Sequence, residues 1–296
     1  MTAAARYRPV YCSLPAMLGT RILTALILIP LVVAALFFLP PFGWGTAALA
    51  AIAVAAVEWA KLVGLRHRRQ ALFAACVVAI GAVAMLAPAA GFGAGGWPMR
   101  VLLALCGPAL VFWILVAPGW LRSKYEPKSA VAMAIIGAVV LIGAWAAVVQ
   151  LQARSPWLVL AAMAIVWIAD TAAYFAGRAF GRRKLAPAIS PGKTWEGVYG
   201  ALIAIVVYAL ALVPIAQRAG YASEITGVAV ALWVAVALGL VLLSVVGDLV
   251  ESLLKRHAGV KDSGKALPGH GGVLDRIDAL LSAMPAAALL AQGLLK

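Results

Sequence analysis

Nine long apolar stretches divide the chain, at about 22–39, 46–63, 70–88, 101–117, 130–150, 157–176, 198–216, 226–247 and 277–295. Polar or Gly/Pro-rich links separate them. A helix that crosses the hydrocarbon core of a bilayer needs about 20 mostly apolar residues, and each stretch is near that length. The pattern predicts an all-α, polytopic integral membrane protein with about nine transmembrane helices. The fourth stretch contains Gly107-Pro108, and proline is tolerated in a membrane helix when neighbours satisfy the freed backbone group.

Composition supports this reading. Of 296 residues, 65% are hydrophobic and 11% charged, and the mean hydropathy is +1.03. Soluble domains run at about 45–50% apolar, so a single water-soluble core is excluded. The net charge is +14. In a soluble protein that would suggest nucleic acid, but cytoplasmic loops of membrane proteins collect Lys and Arg because these set orientation. With the N-terminus in the cytoplasm, 20 of the 24 Lys and Arg fall in loops on that side and only Arg100, Arg154, Arg218 and Lys296 on the other. The split predicts a cytoplasmic N-terminus and an external C-terminus, and no nucleic-acid partner. Cys12, Cys76 and Cys106 are scattered and read as small apolar residues rather than a disulfide or metal framework. The first apolar run is long for a signal peptide and reads as an uncleaved span. Met17 is a plausible true start, which makes 1–16 a poorly ordered extension and 17–296 one transmembrane catalytic domain.

Two polar segments, 170–197 and 247–278, fall on the predicted cytoplasmic side. The second, from Asp248, holds five of the ten acidic residues. Asp248, Glu251, Ser252 and Lys255 recur at i, i+3, i+4 and i+7, one polar stripe on the eighth helix. Asp275 and Asp278 open the ninth helix, where acidic residues also complement the helix dipole. Carboxylates gathered together repel unless a cation sits among them, and oxygen-only ligands suit Mg²⁺ or a similar hard ion. Between them lies Pro268-Gly-His-Gly-Gly272, flanked by Lys255, Arg256, Lys261, Lys265 and Arg276. Glycines admit close approach of an anion to the backbone, and Lys and Arg bind phosphate as point charge and fork. Basic residues here also serve orientation and anionic-lipid attraction, which need only charge and no interleaved Asp and Gly. His270 is read as a hydrogen-bonding loop residue, not as the acid–base catalyst.

In the first segment, Asp170 lies inside an apolar stretch, a costly placement. It shares a helix face with Tyr174 and Arg178. A structural Asp170–Arg178 or interhelical pair and a direct role are both open. Ser190-Pro-Gly-Lys-Thr194 resembles the end of a P-loop, but that motif needs GxxxxGK[ST] after a strand, and position 187 is Pro. Lys193 and Thr194 remain candidate phosphate ligands at the start of a helix.

The run Ser252-x2-Lys255-Arg256-x4-Lys261-Asp262-x-Gly264-x2-Leu267-Pro268-x-His270-Gly271-Gly272-x2-Asp275-Arg276-x-Asp278 resembles the signature of the phosphatidate cytidylyltransferase family. Gly247-Asp248, Asp170-x3-Tyr174-Phe-x-Gly177-Arg178 and Ser190-Pro-x-Lys193-Thr194-Trp-Glu196-Gly197 resemble it too. One departure is Gly192, where the family often carries a second Lys. The resemblance covers nearly the whole chain from Met17. It implies that CTP and phosphatidic acid react to give CDP-diacylglycerol and pyrophosphate, with Mg²⁺ and K⁺ beside it. It also implies a homodimer among the lipids of a bacterial inner membrane. Asp248 and Asp275 are implied metal ligands, with Asp278 and Asp262 as further candidates. Asp248, Asp275, Lys193 and Lys255 are the expected catalytic residues. Ser190, Thr194, Arg256, Lys261, His270, Gly271, Gly272, Arg276, Asp170, Tyr174 and Arg178 are expected at the substrates. A CTP-dependent enzyme acting on another lipid or polyprenyl phosphate is the nearest rival. A transporter is the rival from another class, although no internal repeat of the transporter kind is present.

Overall fold

The computed structural model describes residues 14–125, 128–218 and 226–294. Of the expected N-terminal extension 1–16, residues 1–13 lie outside the described ones. Nine long helices among the described residues occupy the nine apolar stretches: α1 (Leu14–Phe38), α2 (Pro41–Leu62), α3 (His67–Leu86), α4 (Met99–Ser123), α5 (Ala130–Arg154), α6 (Pro156–Phe180), α7 (Trp195–Arg218), α8 (Gly227–His257) and α9 (Leu274–Leu294). Seven of them, α2 to α8, are long and apolar enough to cross a membrane. For α1 the apolar run among the described side chains is the shorter Leu26–Phe38. α9 has a different character: Ala279 to Ala288 are buried throughout, so it faces protein on all sides instead of lipid.

Two helices form the centre. α5 is enclosed on every face from Val140 to Leu151, apart from half-buried Val148, and packs on α2, α4 and α9. On the other side of α9 lie α8 and the α6–α7 pair. In lipid there is little hydrophobic force between helices, so close packing and buried hydrogen bonds must hold them. Three indoles supply such bonds between α2 and α5: Trp44 Nε1 donates to Val148 O (3.2 Å), Trp59 Nε1 to Met133 O (2.9 Å) and Trp145 Nε1 to Gly45 O (2.9 Å). α6 and α7 approach through small residues. A Cβ on Gly197 would lie 2.8 Å from Ala173 O, and one on Gly200 would lie 2.4 Å from Ala176 Cβ.

The helices depart from the expected stretches where polar or proline chemistry intervenes. α4 runs on to Ser123 past the predicted end at 117, through a π-helical turn at Phe112–Val116. The turn comes just before Pro118, whose ring would otherwise meet the carbonyl of residue 114. α8 continues to His257, ten residues past 247, so its polar stripe is helical throughout. Between α6 and α7 lies a small antiparallel hairpin, β1 (Lys184–Ala186) with β2 (Ser190–Thr194), in an otherwise helical chain.

Gly137 tests the α2–α5 seam. A Cβ there would lie 2.2 Å from Trp59 Nε1, and the indole is fully buried with no room to yield. Gly137→Ala is expected to break the Trp59–Met133 bond at a cost of about 1–3 kcal/mol, read as a lowered thermal midpoint of the detergent-solubilised protein. An unchanged midpoint would mean that the seam is loose.

Candidate active site

The C-terminal half of α8 carries its polar residues as one stripe. Ser252 Oγ donates to Asp248 Oδ1 (3.3 Å). One turn on, Lys255 forms an ion pair with Glu251 and reaches across to Asp275 Oδ1 on α9 (2.7 Å). The side chains of Glu251 and Asp275 are 3% and 4% exposed, and Lys255 is 12% exposed. Glu251 Oε1 is buried without a hydrogen-bond partner. One ammonium therefore serves two buried carboxylates, in a place where an unpaired charge would be costly.

The β1–β2 hairpin brings the first polar segment onto this stripe. Lys193 Nζ meets Asp248 Oδ2 at 2.5 Å, both side chains 26% exposed. Thr194 Oγ1 accepts from Gly197 N (3.2 Å) and so caps α7. Thr194 seats on α6 where a Cβ at Gly177 would be 2.9 Å from its hydroxyl. The Glu196 carboxylate accepts from the amides of Arg182 (3.1 Å) and Arg183 (3.2 Å), pinning the start of the hairpin. On the other side Arg256 Nε donates to Ile189 O (3.2 Å), and Ile189 is buried with Leu249 and Leu253. Asp170 lies within electrostatic reach of Asp248 and Lys193, and Asp278 within reach of Asp248, Lys193 and Lys255.

The α8–α9 connection closes the site. Gly259, Gly269 and Gly271 are left-handed, with φ of 68°, 75° and 84°, and a bridge between Leu267 and Gly271 folds the Pro268-Gly-His stretch into a tight turn. Asp275 Oδ2 accepts from Ser263 N (2.9 Å), Ser263 Oγ (3.0 Å) and Gly272 N (2.9 Å). Beside it opens a cavity of about 570 Å³ lined by Asp262, Gly264, Lys265, Leu267, Pro268, Gly269, His270, Gly271 and Arg276. His270 Nδ1 is buried there without a hydrogen-bond partner.

The expected residues thus fall into two adjoining groups. Asp170, Lys193, Asp248, Lys255, Asp275 and Asp278 form one charged cluster at the end of α6, α8 and α9. Asp262, His270, Gly271 and Arg276 line the cavity. Ser190 and Thr194 lie in the hairpin, and buried Gly272 supports Asp275. Lys261 is exposed and outside the cavity lining. Arg178 donates to Tyr174 OH (3.2 Å), both exposed, so the ion pair with Asp170 that the spacing allowed does not form. Among the described residues, no three His, Cys, Asp or Glu side chains gather tightly enough to hold a metal ion.

Three residues that contact the cluster or its supports were not among the expected site residues: Glu58, Ser263 and Glu251. Glu251 belongs to the stripe already noted. Glu58 is an acid in the middle of an apolar stretch, the same signal that marked Asp170.

The cytidylyltransferase family model matches residues 19–294. A Pseudomonas aeruginosa protein named phosphatidate cytidylyltransferase is 38% identical over 283 residues, covering 93% of this chain and 97% of the relative. A Haemophilus influenzae protein of the same name is 36% identical over 284 residues, covering 91% and 96%. A Brucella suis protein, also of that name, is 49% identical over 120 residues, 40% of this chain and 41% of the relative.

The shared ammonium gives a direct test of the cluster. Lys255→Met leaves Glu251 and Asp275 buried without their cation, at an expected cost of about 3–5 kcal/mol. The thermal midpoint should fall sharply and recover in part when Glu251→Gln is added. A Lys255→Met protein as stable as the parent would show that another charge balances these carboxylates.

Proposed function

The chain belongs to the cytidylyltransferase family, an enzyme family of nucleotidyltransferases, and from that premise we propose that it transfers the cytidylyl group of CTP to phosphatidic acid. CDP-diacylglycerol and pyrophosphate are the products. The observation that carries this reading is the union, at one end of the helix bundle, of a carboxylate–lysine cluster with a basic cavity. One substrate is a lipid whose phosphate lies at the membrane surface, and the other is a water-soluble triphosphate. A site at a helix end can receive both. The excess of Lys and Arg in the loops on this side supports a site at the cytoplasmic face of a bacterial inner membrane.

The reaction needs no side-chain nucleophile. A phosphomonoester loses its second proton near about pH 6, so the phosphate of phosphatidic acid attacks directly. A lipid phosphate oxygen forms a bond to the α-phosphorus of CTP, and the bond from that phosphorus to the bridging oxygen breaks, releasing pyrophosphate. The requirement is in-line placement of two anions and relief of their repulsion. Lys193 is half-exposed on a short hairpin and can turn from Asp248 to a phosphate oxygen. Arg276 and Lys265 present charge from the cavity wall. Lys255 stays between Glu251 and Asp275 and fixes their spacing.

The donor chemistry fits a hard cation. Among the described residues, the acids Asp170, Asp248, Glu251, Asp275 and Asp278 meet two ammonium groups, Lys193 and Lys255, so acidic groups outnumber cations in the cluster. Asp248 and Asp278 would hold Mg²⁺ as a pair, with substrate and water oxygens completing its shell and K⁺ as a second ion. Asp275, already held by Lys255, Ser263 and Gly272, and Asp262 beside Gly271 would stand next to the ion, since no three such carboxylates gather among the described residues. Bound there, Mg²⁺ would neutralise charge on the triphosphate.

Asp248→Asn and Asp275→Asn, purified in folded form, are expected to transfer label from CTP to lipid about 100-fold more slowly than the parent. Near-parental turnover in either would remove that aspartate from the reaction. A chiral α-phosphorus should be inverted, and net retention would reveal a covalent intermediate. Absence of a CDP-lipid and pyrophosphate from the parent protein would overturn the reading itself.

A further inference from the structure

The carboxylate of Glu58 sits on α2, far in sequence from both polar segments. It is 3% exposed and has no ion-pair partner among the described residues. Three donors converge on it: Val273 N to Oε1 (3.2 Å), Leu274 N to Oε2 (2.8 Å) and Ser263 Oγ to Oε2 (3.2 Å). The two amides belong to the start of α9, where backbone N–H groups have no partner within the helix. A helix usually finds that partner in its own N-cap side chain. Here the sequence before α9 is Gly272-Val273, which offers none. The cap comes instead from another helix, and the N-terminal dipole of α9 helps to hold a buried charge that would otherwise be expensive.

The connection is shaped around this carboxylate. A Cβ on Gly264 would lie 2.2 Å from Glu58 Oε1, and one on Gly272 would lie 2.5 Å from Oε2. Ser263 Oγ lies within hydrogen-bond distance of both Glu58 Oε2 and Asp275 Oδ2 and shares its one proton between them, while Ser263 N donates to Asp275 Oδ2. A cap of α9 alone would need only the two amides. Ser263, its hydroxyl toward Glu58 and its amide on Asp275, extends the contact to Asp275 and, through it, to Lys255.

We propose that Glu58 is a positioning residue, setting the α8–α9 connection and, through Ser263, the place of Asp275 in the site. It abuts the cavity wall at Gly264 without lining the cavity and is not a member of the charged cluster, so it acts by fixing the residues that are. The proposal rests on the reaction given above for its kinetic consequences, and on geometry alone for its structural ones.

The test uses the full-length protein in detergent with Glu58→Gln, Ser263→Ala, the double variant and Gly264→Ala. A glutamine keeps one acceptor and turns an N–H₂ toward an amide donor. Turnover should fall about 10–100-fold, with the KM for CTP little changed, while the thermal midpoint drops modestly as the α9 cap is weakened. The double variant should be no slower than the slower single, because both cut the same link. Amide exchange at Val273 and Leu274 should accelerate in Glu58→Gln while the rest of α9 stays protected. Glu58→Gln turnover within about twofold of the parent, or losses that add in the double variant, would overturn the proposal. Should Glu58→Gln fail to fold, Gly264→Ala drives a methyl into the native carboxylate and must show the same loss. A parent protein that makes no CDP-lipid would sink the reaction, and the exchange measurement would still decide the role of Glu58.

Discussion

A buried charge must be answered where it stands, and most of this molecule's polar architecture follows from that. Hydrocarbon offers no water to screen a carboxylate, so each one near the bilayer needs a cation or several hydrogen-bond donors. The protein uses both. Lys255 stands between Glu251 and Asp275, and Lys193 crosses from the hairpin to Asp248. Asp275 takes two amides and Glu58 takes two, with the Ser263 hydroxyl between them, and Glu58 has no cation partner among the described residues. Two ammonium groups are too few for the acids they face.

The bundle makes this arrangement rigid. α9 begins in the site and runs down the protein interior beside α5, so its first turn cannot drift without disturbing the core. The α6–α7 pair approaches through Gly197 and Gly200, and that closeness seats Thr194 against Gly177. Lys193 precedes Thr194, so its position is inherited from helix packing. Preorganised charge of this kind is more effective than charge that must be gathered on demand.

Much of the fold was legible because membrane helices announce themselves by length and apolarity. Each of the nine stretches falls on a long helix among the described residues, seven of which are long and apolar enough to span, and the stripe from Asp248 to Lys255 is the i, i+4 pattern made visible. The hairpin was not legible. Lys184–Ala186 and Ser190–Thr194 are short, hold Pro and Gly, and lack alternation, so their strand character comes from pairing and from Glu196. The π turn of α4 was equally hidden, since Pro118 announces a break but not its kind. The spacing of Asp170 and Arg178 suggested a pair, yet Arg178 turns to Tyr174 because Asp170 faces the cluster. Glu58 was readable by the rule that singled out Asp170, but its partners are more than two hundred positions away and no local pattern reveals them.

The glycines of the α8–α9 connection show how a motif and its physical cause can differ. Glycine beside lysine and arginine suggests a backbone cradle for phosphate. In the folded chain, the amides of Ser263, Gly272, Val273 and Leu274 are already committed to Asp275 and Glu58. Gly264 and Gly272 are small because Glu58 lies against them, and Gly271 is glycine because its φ is 84° and Asp275 is close. These glycines therefore serve the protein's own carboxylates. In the proposed reaction, the side chains placed to meet a substrate phosphate are Lys193 at the cluster and Lys265, His270 and Arg276 around the cavity. A loop whose amides are spent internally is stiff. Stiffness is what a site needs when it must hold two anions in line without a covalent hold on either.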